Sequence, residues 1–190
     1  MIWFAIFFTF VVSQRIYELL IAKKNEIFML EHGAIEYGSE HYKYIVSLHV
    51  LFLVSFFGEV TALGKYASPI WPIWLTLFIM TQAIRIWSLY SLGPYWNTKI
   101  LIIPDAEISM KGPYRFMRHP NYVIVTLEIM LIPLLFQAYM TAVLFTALNL
   151  WMLSVRIPIE EQALFEKSKN YDTYMSLRKR FSPTFQKDLE

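Results

Sequence analysis

The sequence predicts an all-α integral membrane protein with five transmembrane helices. Of its 190 residues, 56% are hydrophobic, which exceeds the apolar share of soluble domains. Five apolar stretches approach the length of about 20 residues that a helix needs to cross a bilayer. They comprise residues 2–21, 44–63, 70–92, 122–135 and 138–155.

The first three stretches are long enough to span a membrane. The first carries no charge before Arg15, unlike the basic start of a secretory signal, so we expect it to be retained as a span. The last two stretches are short and are separated only by Phe136 and Gln137. This spacing predicts a tight helical hairpin, partly shielded by protein.

Lysines and arginines predict the orientation, because cytoplasmic flanks accumulate them. Basic residues cluster after the first, third and fifth stretches, and the last cluster extends to Lys187. The opposite side carries only Lys65. An odd number of spans with this bias predicts an N-terminus outside and a cytoplasmic C-terminus.

We expect a single membrane domain over residues 1–190. Residues 1–92 hold three N-terminal spans, and residues 93–190 hold a loop, the hairpin and a C-terminal helix. The loop contains four prolines before residue 122, which predicts a shaped segment rather than a helix. The C-terminal helix is expected to begin at Pro158, a favoured residue at the first helical position.

The densest polar group lies at residues 112–122, which hold two arginines, a histidine and two tyrosines. Guanidinium groups suit carboxylate or phosphate, so the segment is a candidate site for an anionic group. An ordinary basic flank with interfacial tyrosines accounts for the composition equally well.

Arg156, Glu160 and Glu161 form a second candidate group. Arg156 and Glu160 are four residues apart and can share a helix face. They are candidates to orient a ligand, and the alternative is a structural salt bridge that anchors the tail.

Ionisable residues inside spans are a third source of candidates. Glu128 is the strongest, with Arg85 or Arg156 as its expected partner, and both a structural ion pair and a catalytic role remain open. Arg15 and Glu18 are expected to snorkel or to pair.

Several common sites lack sequence support. With no cysteine, the chain excludes disulfides, thiolate ligands and a cysteine nucleophile. The six glycines form neither a GxGxxG motif nor a P-loop. No HExxH motif or dense histidine and carboxylate cluster indicates a metal.

Four features together resemble the isoprenylcysteine carboxyl methyltransferase family. They are Gly-Pro-Tyr-Arg at residues 112–115, Arg-His-Pro-Asn-Tyr at 118–122, the apolar hairpin, and Arg156 followed by the two glutamates. The resemblance covers roughly residues 85–180, and the chain is similar to the short bacterial five-span type, which includes alkylpyrone O-methyltransferases. The Arg-His-Pro-x-Tyr segment alone also resembles NADPH-dependent membrane sterol and steroid reductases.

The family resemblance implies S-adenosylmethionine as cofactor, held in a pocket formed by the cytoplasmic loop and the C-terminal helix. Cofactor-binding residues would be Tyr114, Arg115, Arg118, His119, Pro120 and Tyr122. Catalytic residues would be Arg156, Glu160 and Glu161. The resemblance implies membrane lipids and a lipophilic or prenylated acceptor as partners, with no nucleic acid and no metal.

The chemistry of the acceptor stays open between two classes. A carboxylate is already ionised at neutral pH and needs no base, so Arg156 would orient it. A hydroxyl needs a base, for which Glu160, Glu161 and His119 are the candidates. Two rival functions are an NADPH-dependent reductase and a non-catalytic membrane scaffold whose basic loops bind anionic lipid or a partner.

Overall fold

The computed structural model describes residues 1–184, so Lys187 of the expected basic tail lies outside the described residues. The described chain is mostly helical, with two short strands and two 3-10 turns, at Gly93–Tyr95 and Gly112–Arg115. The elements in order are α1 (Ile2–Glu31), β1 (Ile35–Tyr37), α2 (Ser39–Ala62), α3 (Trp71–Leu92), β2 (Ile100–Ile102), α4 (Pro120–Leu134), α5 (Tyr139–Lys167) and α6 (Tyr171–Leu177).

Four helices in the described chain are long and apolar enough to cross a membrane, namely α1, α2, α3 and α5. The expectation of a mostly helical protein with several membrane-spanning helices is therefore confirmed, whereas a fifth helix of spanning length is not seen among the described residues. Helix α4 has only 15 residues. It packs between α3 and α5, and Glu128 and Ile129 near its centre are fully buried.

The predicted hairpin is confirmed between α4 and α5. Its turn reverses the chain in four residues, with Gln137 in the left-handed region at a φ of 57°. Pro133 O accepts hydrogen bonds from Phe136 N and Ala138 N, which closes the turn. Glu59 of α2 then accepts bonds from Met140 N and Thr141 N at 3.2 and 2.7 Å. The carboxylate satisfies backbone donors that the first turn of α5 leaves open.

The expected helix start at Pro158 is wrong. Helix α5 runs without interruption from Tyr139 to Lys167, with Pro158 in its interior. Proline removes one backbone donor, but Arg156 and Ile157 beside it are buried and hold the helix against its neighbours. Arg156 and Glu160 consequently lie on adjacent turns of one helix.

Six elements meet at one end of the bundle, hereafter the loop end. There α1 and α3 end, α2 and α4 begin, and β1 pairs antiparallel with β2. Ile100 and Ile102 of β2 are buried against Ala163 of α5. The opposite end is filled by aromatic rings, among them Phe4, Phe56 and Phe136. The bundle is thereby closed by hydrophobic packing at one end and open to shaped loops at the other.

A buried cluster of charges joins α1, α3 and α4. Glu128 accepts hydrogen bonds from Arg85, from Arg15 at 2.5 Å and from Gln82 at 2.6 Å. Glu18 accepts bonds from Arg85 at 2.6 Å and from Arg15 at 2.9 Å. The expected pairing of Glu128 with Arg85 is confirmed, as is that of Arg15 with Glu18. Two cations and two anions neutralise one another, as burial within an apolar bundle requires.

Replacing Glu128 by Gln will destabilise the fold strongly. The change leaves Arg15 and Arg85 with one carboxylate between them, and breaking a buried ion pair costs about 3–5 kcal/mol. Thermal unfolding in detergent measures the effect, with Glu31→Gln at the exposed end of α1 as the matched control. Equal melting temperatures for the two variants would contradict a structural role for the cluster.

Candidate active site

The Arg-His-Pro loop is shaped by residues at its two ends. Pro120 begins α4, where a missing N–H leaves no donor unsatisfied. Gly112 has a φ of +53°, and a Cβ there would come within 1.8 Å of Ser91 Oγ, so only glycine fits. The segment between Gly112 and Pro120 is therefore fixed at both of its ends.

The tail of the chain binds along this loop. Arg118 N donates to Lys179 O at 3.0 Å, and His119 N donates to Arg180 O at 3.1 Å. The Tyr174 hydroxyl of α6 donates to Tyr114 O at 2.7 Å. Burial raises the pKa of the Tyr174 phenol well above its usual range, so it remains a donor.

Glu161 joins loop, helix and tail through one carboxylate. Its Oε1 lies 3.0 Å from both His119 Nε2 and Arg118 Nη1. Its Oε2 accepts a hydrogen bond from Arg180 Nη2 at 2.6 Å. The carboxylate thus holds the loop to α5 through Oε1 and holds the tail through both oxygens, because Arg180 Nε lies 3.1 Å from each.

Arg156 and Glu160 are connected through Tyr122. Arg156 Nε donates to the Tyr122 hydroxyl oxygen at 2.8 Å, and that hydroxyl donates to Glu160. Arg156 Nη2 donates to Thr98 O at 2.7 Å, which fixes the guanidinium plane. The two residues therefore form no direct salt bridge, which was the alternative considered from the sequence. Arg156, Tyr122 and Glu160 form a hydrogen-bonded chain of cation, phenol and carboxylate instead, hereafter the relay.

Two adjoining cavities lie at the loop end. The bundle chamber has a volume of about 330 Å³ and is lined by residues of helices α1 to α5. The loop chamber has a volume of about 760 Å³ and lies among the turn after α3, residues 106–111 and α6. Tyr114, Arg118, His119 and Glu160 line both chambers. Together with Tyr95, these four side chains form the polar part of the wall that the chambers share.

Residues 106–111 cover the loop chamber and are held down beside the end of α5. Asp105 N donates to Lys167 O at 2.8 Å, and Lys169 N donates to Ala106 O at 3.1 Å. Tyr114 lies on the shared wall, and burial together with the negative charge of Glu160 raises the pKa of its phenol. Tyr114 consequently offers a hydroxyl donor rather than a phenolate.

The residues expected from the sequence fall into three groups by location. Four line both chambers, as described above, and Tyr122 and Arg156 line the bundle chamber. Within the described residues, Arg115, Pro120 and Glu161 line neither chamber. The Arg115 guanidinium lies 4.7 Å from the centre of the Phe116 ring instead.

Sequence reasoning missed three residues of this site. Thr98 contributes only a backbone carbonyl, Arg180 meets Glu161 from 19 positions away, and Trp96 lines the bundle chamber. The Gly-Pro-Tyr-Trp-Asn run at residues 93–97 was the one available signal for Trp96.

Replacing Glu161 by Gln will loosen the tail. A neutral amide loses the charge-assisted bonds from Arg118 and Arg180, each worth about 1.5–3 kcal/mol. Trypsin will then cut at residues 178–180 about tenfold faster, because the rate of cleavage follows the fraction of molecules in which the tail has detached from the loop. The control is Glu166→Gln, whose carboxylate is bonded only to Gln162 in the described chain. Unchanged cleavage would show that backbone bonds alone hold the tail.

Residues 74–166 match the isoprenylcysteine carboxyl methyltransferase (ICMT) family. The uncharacterized protein YpbQ of Bacillus subtilis (strain 168) is 46% identical over 168 residues, which covers 88% of this chain and 99% of the relative. An uncharacterized protein of Haemophilus influenzae is 30% identical over 172 residues, covering 88% of this chain and 100% of the relative. The chain is therefore a multi-pass membrane protein of the isoprenylcysteine carboxyl methyltransferase family.

Proposed function

We propose that the protein is an S-adenosylmethionine-dependent O-methyltransferase that acts within the membrane on a lipophilic acceptor. The observation that carries this proposal is the wall shared by the two chambers. A donor in the loop chamber and an acceptor in the bundle chamber would meet at Glu160, beside the Arg156–Tyr122 relay. Family membership supports methyl transfer as the reaction.

The residues of the loop chamber suit S-adenosylmethionine, which supplies the methyl group when bound. Its carboxylate needs a cation, and the wall carries Arg118, which uses one nitrogen for Glu161 and keeps other donors, beside the imidazole of His119. Arg118 Nε is buried and has no hydrogen-bond partner among the described residues, as expected of a group that awaits a ligand. S-adenosylmethionine also carries positive charge on its ammonium and sulfonium groups. Glu160 is an anion on the wall of the chamber that can face one of these groups. The chamber volume lies within the usual range for small-molecule sites.

The bundle chamber suits a lipophilic acceptor. Leu19 of α1 and Val46 and Val50 of α2 line it and are also exposed on the outer surface of the bundle. The chamber is thereby accessible between α1 and α2 from the side that lipid would occupy. An acceptor with a long apolar chain can reach the relay without leaving the bilayer.

The charges favour a hydroxyl over a carboxylate acceptor. The side chains of Arg118, His119 and Arg180 converge on Glu161, and Arg156 is bonded to Tyr122 and Thr98. Among the described residues, no cationic side chain touches Glu160 directly. A carboxylate acceptor would therefore meet a like charge, whereas a hydroxyl would meet a base that accepts its proton.

The proposed topology has five spans, with α4 as the short one shielded by α3 and α5. The N-terminus is outside and the loop end is cytoplasmic, since the basic residues cluster there. The loop chamber then opens toward the compartment in which S-adenosylmethionine is present.

Isothermal titration of the detergent-purified protein tests the cofactor. We expect saturable binding of S-adenosylmethionine, no binding of NADPH, and an affinity about tenfold lower for His119→Ala, which loses a bond to a charged group. The matched control is His32→Ala, at the exposed end of α1. Binding of NADPH alone would indicate a reductase, and binding of neither would favour a scaffold.

Transfer of a radiolabelled methyl group tests the role of Glu160 and the class of acceptor. With a long-chain alkyl hydroxypyrone, Glu160→Gln will lower kcat by about 10²–10⁴-fold, because the proton acceptor is lost. With a prenylated cysteine, any turnover will fall less than about tenfold, because a carboxylate needs no base. Glu166→Gln is the control. Equal losses with both acceptors would contradict the assignment of Glu160 as the base.

A further inference from the structure

Trp96 presents a buried hydrogen-bond donor with no protein partner. Its side chain is 3% exposed and lines the bundle chamber. Its indole Nε1 has no hydrogen-bond partner among the described residues. Nearly all buried polar groups are paired, so an unpaired one beside a cavity indicates a donor that a ligand completes.

The turn that carries Trp96 is held firmly in place. Asn25 of α1 donates from Nδ2 to Gly93 O at 3.1 Å and to Trp96 O at 2.7 Å. Asn97 Nδ2 donates to Ala22 O at 3.0 Å. These side-chain bonds fasten both sides of the turn to one helix. Trp96 is therefore preorganised, which lowers the entropic cost of using its indole for recognition.

The same turn leads directly to the proposed reaction centre. Two residues after Trp96, Thr98 O accepts the hydrogen bond that orients Arg156. Trp96 lines the bundle chamber and, in the described chain, not the loop chamber. The unpaired indole is thus on the side proposed for the acceptor rather than for the cofactor.

Three further buried polar atoms on residues that line the bundle chamber share this property. Arg85 Nε, Arg118 Nε and Asn121 Oδ1 have no hydrogen-bond partner in the part of the chain that the structure describes. Arg85 is 3% exposed, and its other nitrogens are committed to Glu18 and Glu128. The surface of the chamber is mostly apolar and carries a few unpaired polar atoms, which is the usual composition of a selective small-molecule site.

We propose that the Trp96 indole N–H donates a hydrogen bond to an oxygen of the acceptor other than the one that is methylated. The inference rests on the proposed function, because it assigns the bundle chamber to the acceptor. It makes Trp96 a specificity-determining residue, which favours lipophilic acceptors that carry a second oxygen close to the reacting hydroxyl. An analogue without that oxygen is disfavoured, because it leaves a buried donor unpaired.

Binding without the cofactor tests this assignment separately from methyl transfer. The probes are a long-chain alkyl hydroxypyrone, which carries a ring carbonyl, and an alkylphenol of equal chain length, which does not. Indole N–H resonances of ¹⁵N-tryptophan-labelled protein in nanodiscs report the bond, and Trp96→Phe identifies the Trp96 signal. The matched control is Trp151→Phe, on the exposed face of α5. Melting temperatures check that both variants are folded.

We expect the pyrone to move the Trp96 resonance downfield and the phenol to leave it nearly unchanged. Trp96→Phe will weaken pyrone binding about three- to tenfold and phenol binding less than twofold, roughly the limit of additivity for unrelated sites. An unshifted Trp96 signal in a saturated pyrone complex, or equal losses for both probes, would overturn the inference. If the shift appears but no methyl group is transferred in the presence of S-adenosylmethionine, the proposed function fails while the recognition role stands.

Discussion

Compensation of buried charge is the constraint on which this structure depends. An apolar bundle tolerates an ionised side chain only where an opposite charge or several hydrogen bonds offset its loss of water. Helices α1, α3 and α4 meet this requirement in the cluster around Glu128, and α5, the loop and the tail meet it around Glu161. Both sets of contacts hold elements that are distant in sequence in a fixed mutual position.

The same constraint separates two neighbouring glutamates on α5. Glu161 is surrounded by His119, Arg118 and Arg180, so its carboxylate binds the loop and the tail. Glu160, one residue earlier, accepts only the Tyr122 hydroxyl in the described chain and lies at the wall between the chambers. We therefore propose chemical use for Glu160 and a positioning role for Glu161, although the sequence alone treats them alike.

Sequence reasoning succeeded where local pattern decides the structure. Apolar length predicted the helices, the two-residue gap predicted the hairpin turn, and the scarcity of charge inside spans directed attention to Glu128 and Arg85. It failed at Pro158, because packing of the flanking residues outweighs the helix-breaking tendency of proline. It also missed Arg180 and Trp96, because their contacts join distant parts of the chain and have no period or spacing that a sequence displays.

The unbroken course of α5 has a mechanical consequence. One rod carries Thr141, which is bonded to Glu59 at the far end of the bundle, and Arg156 and Glu160, which lie at the loop end. Because no loop interrupts the 29 residues of α5, a change in the tilt of this helix would shift both of its ends. Membranes of different thickness change helix tilt. The contact between Arg156 and the carbonyl of Thr98 would then respond to the thickness of the surrounding membrane.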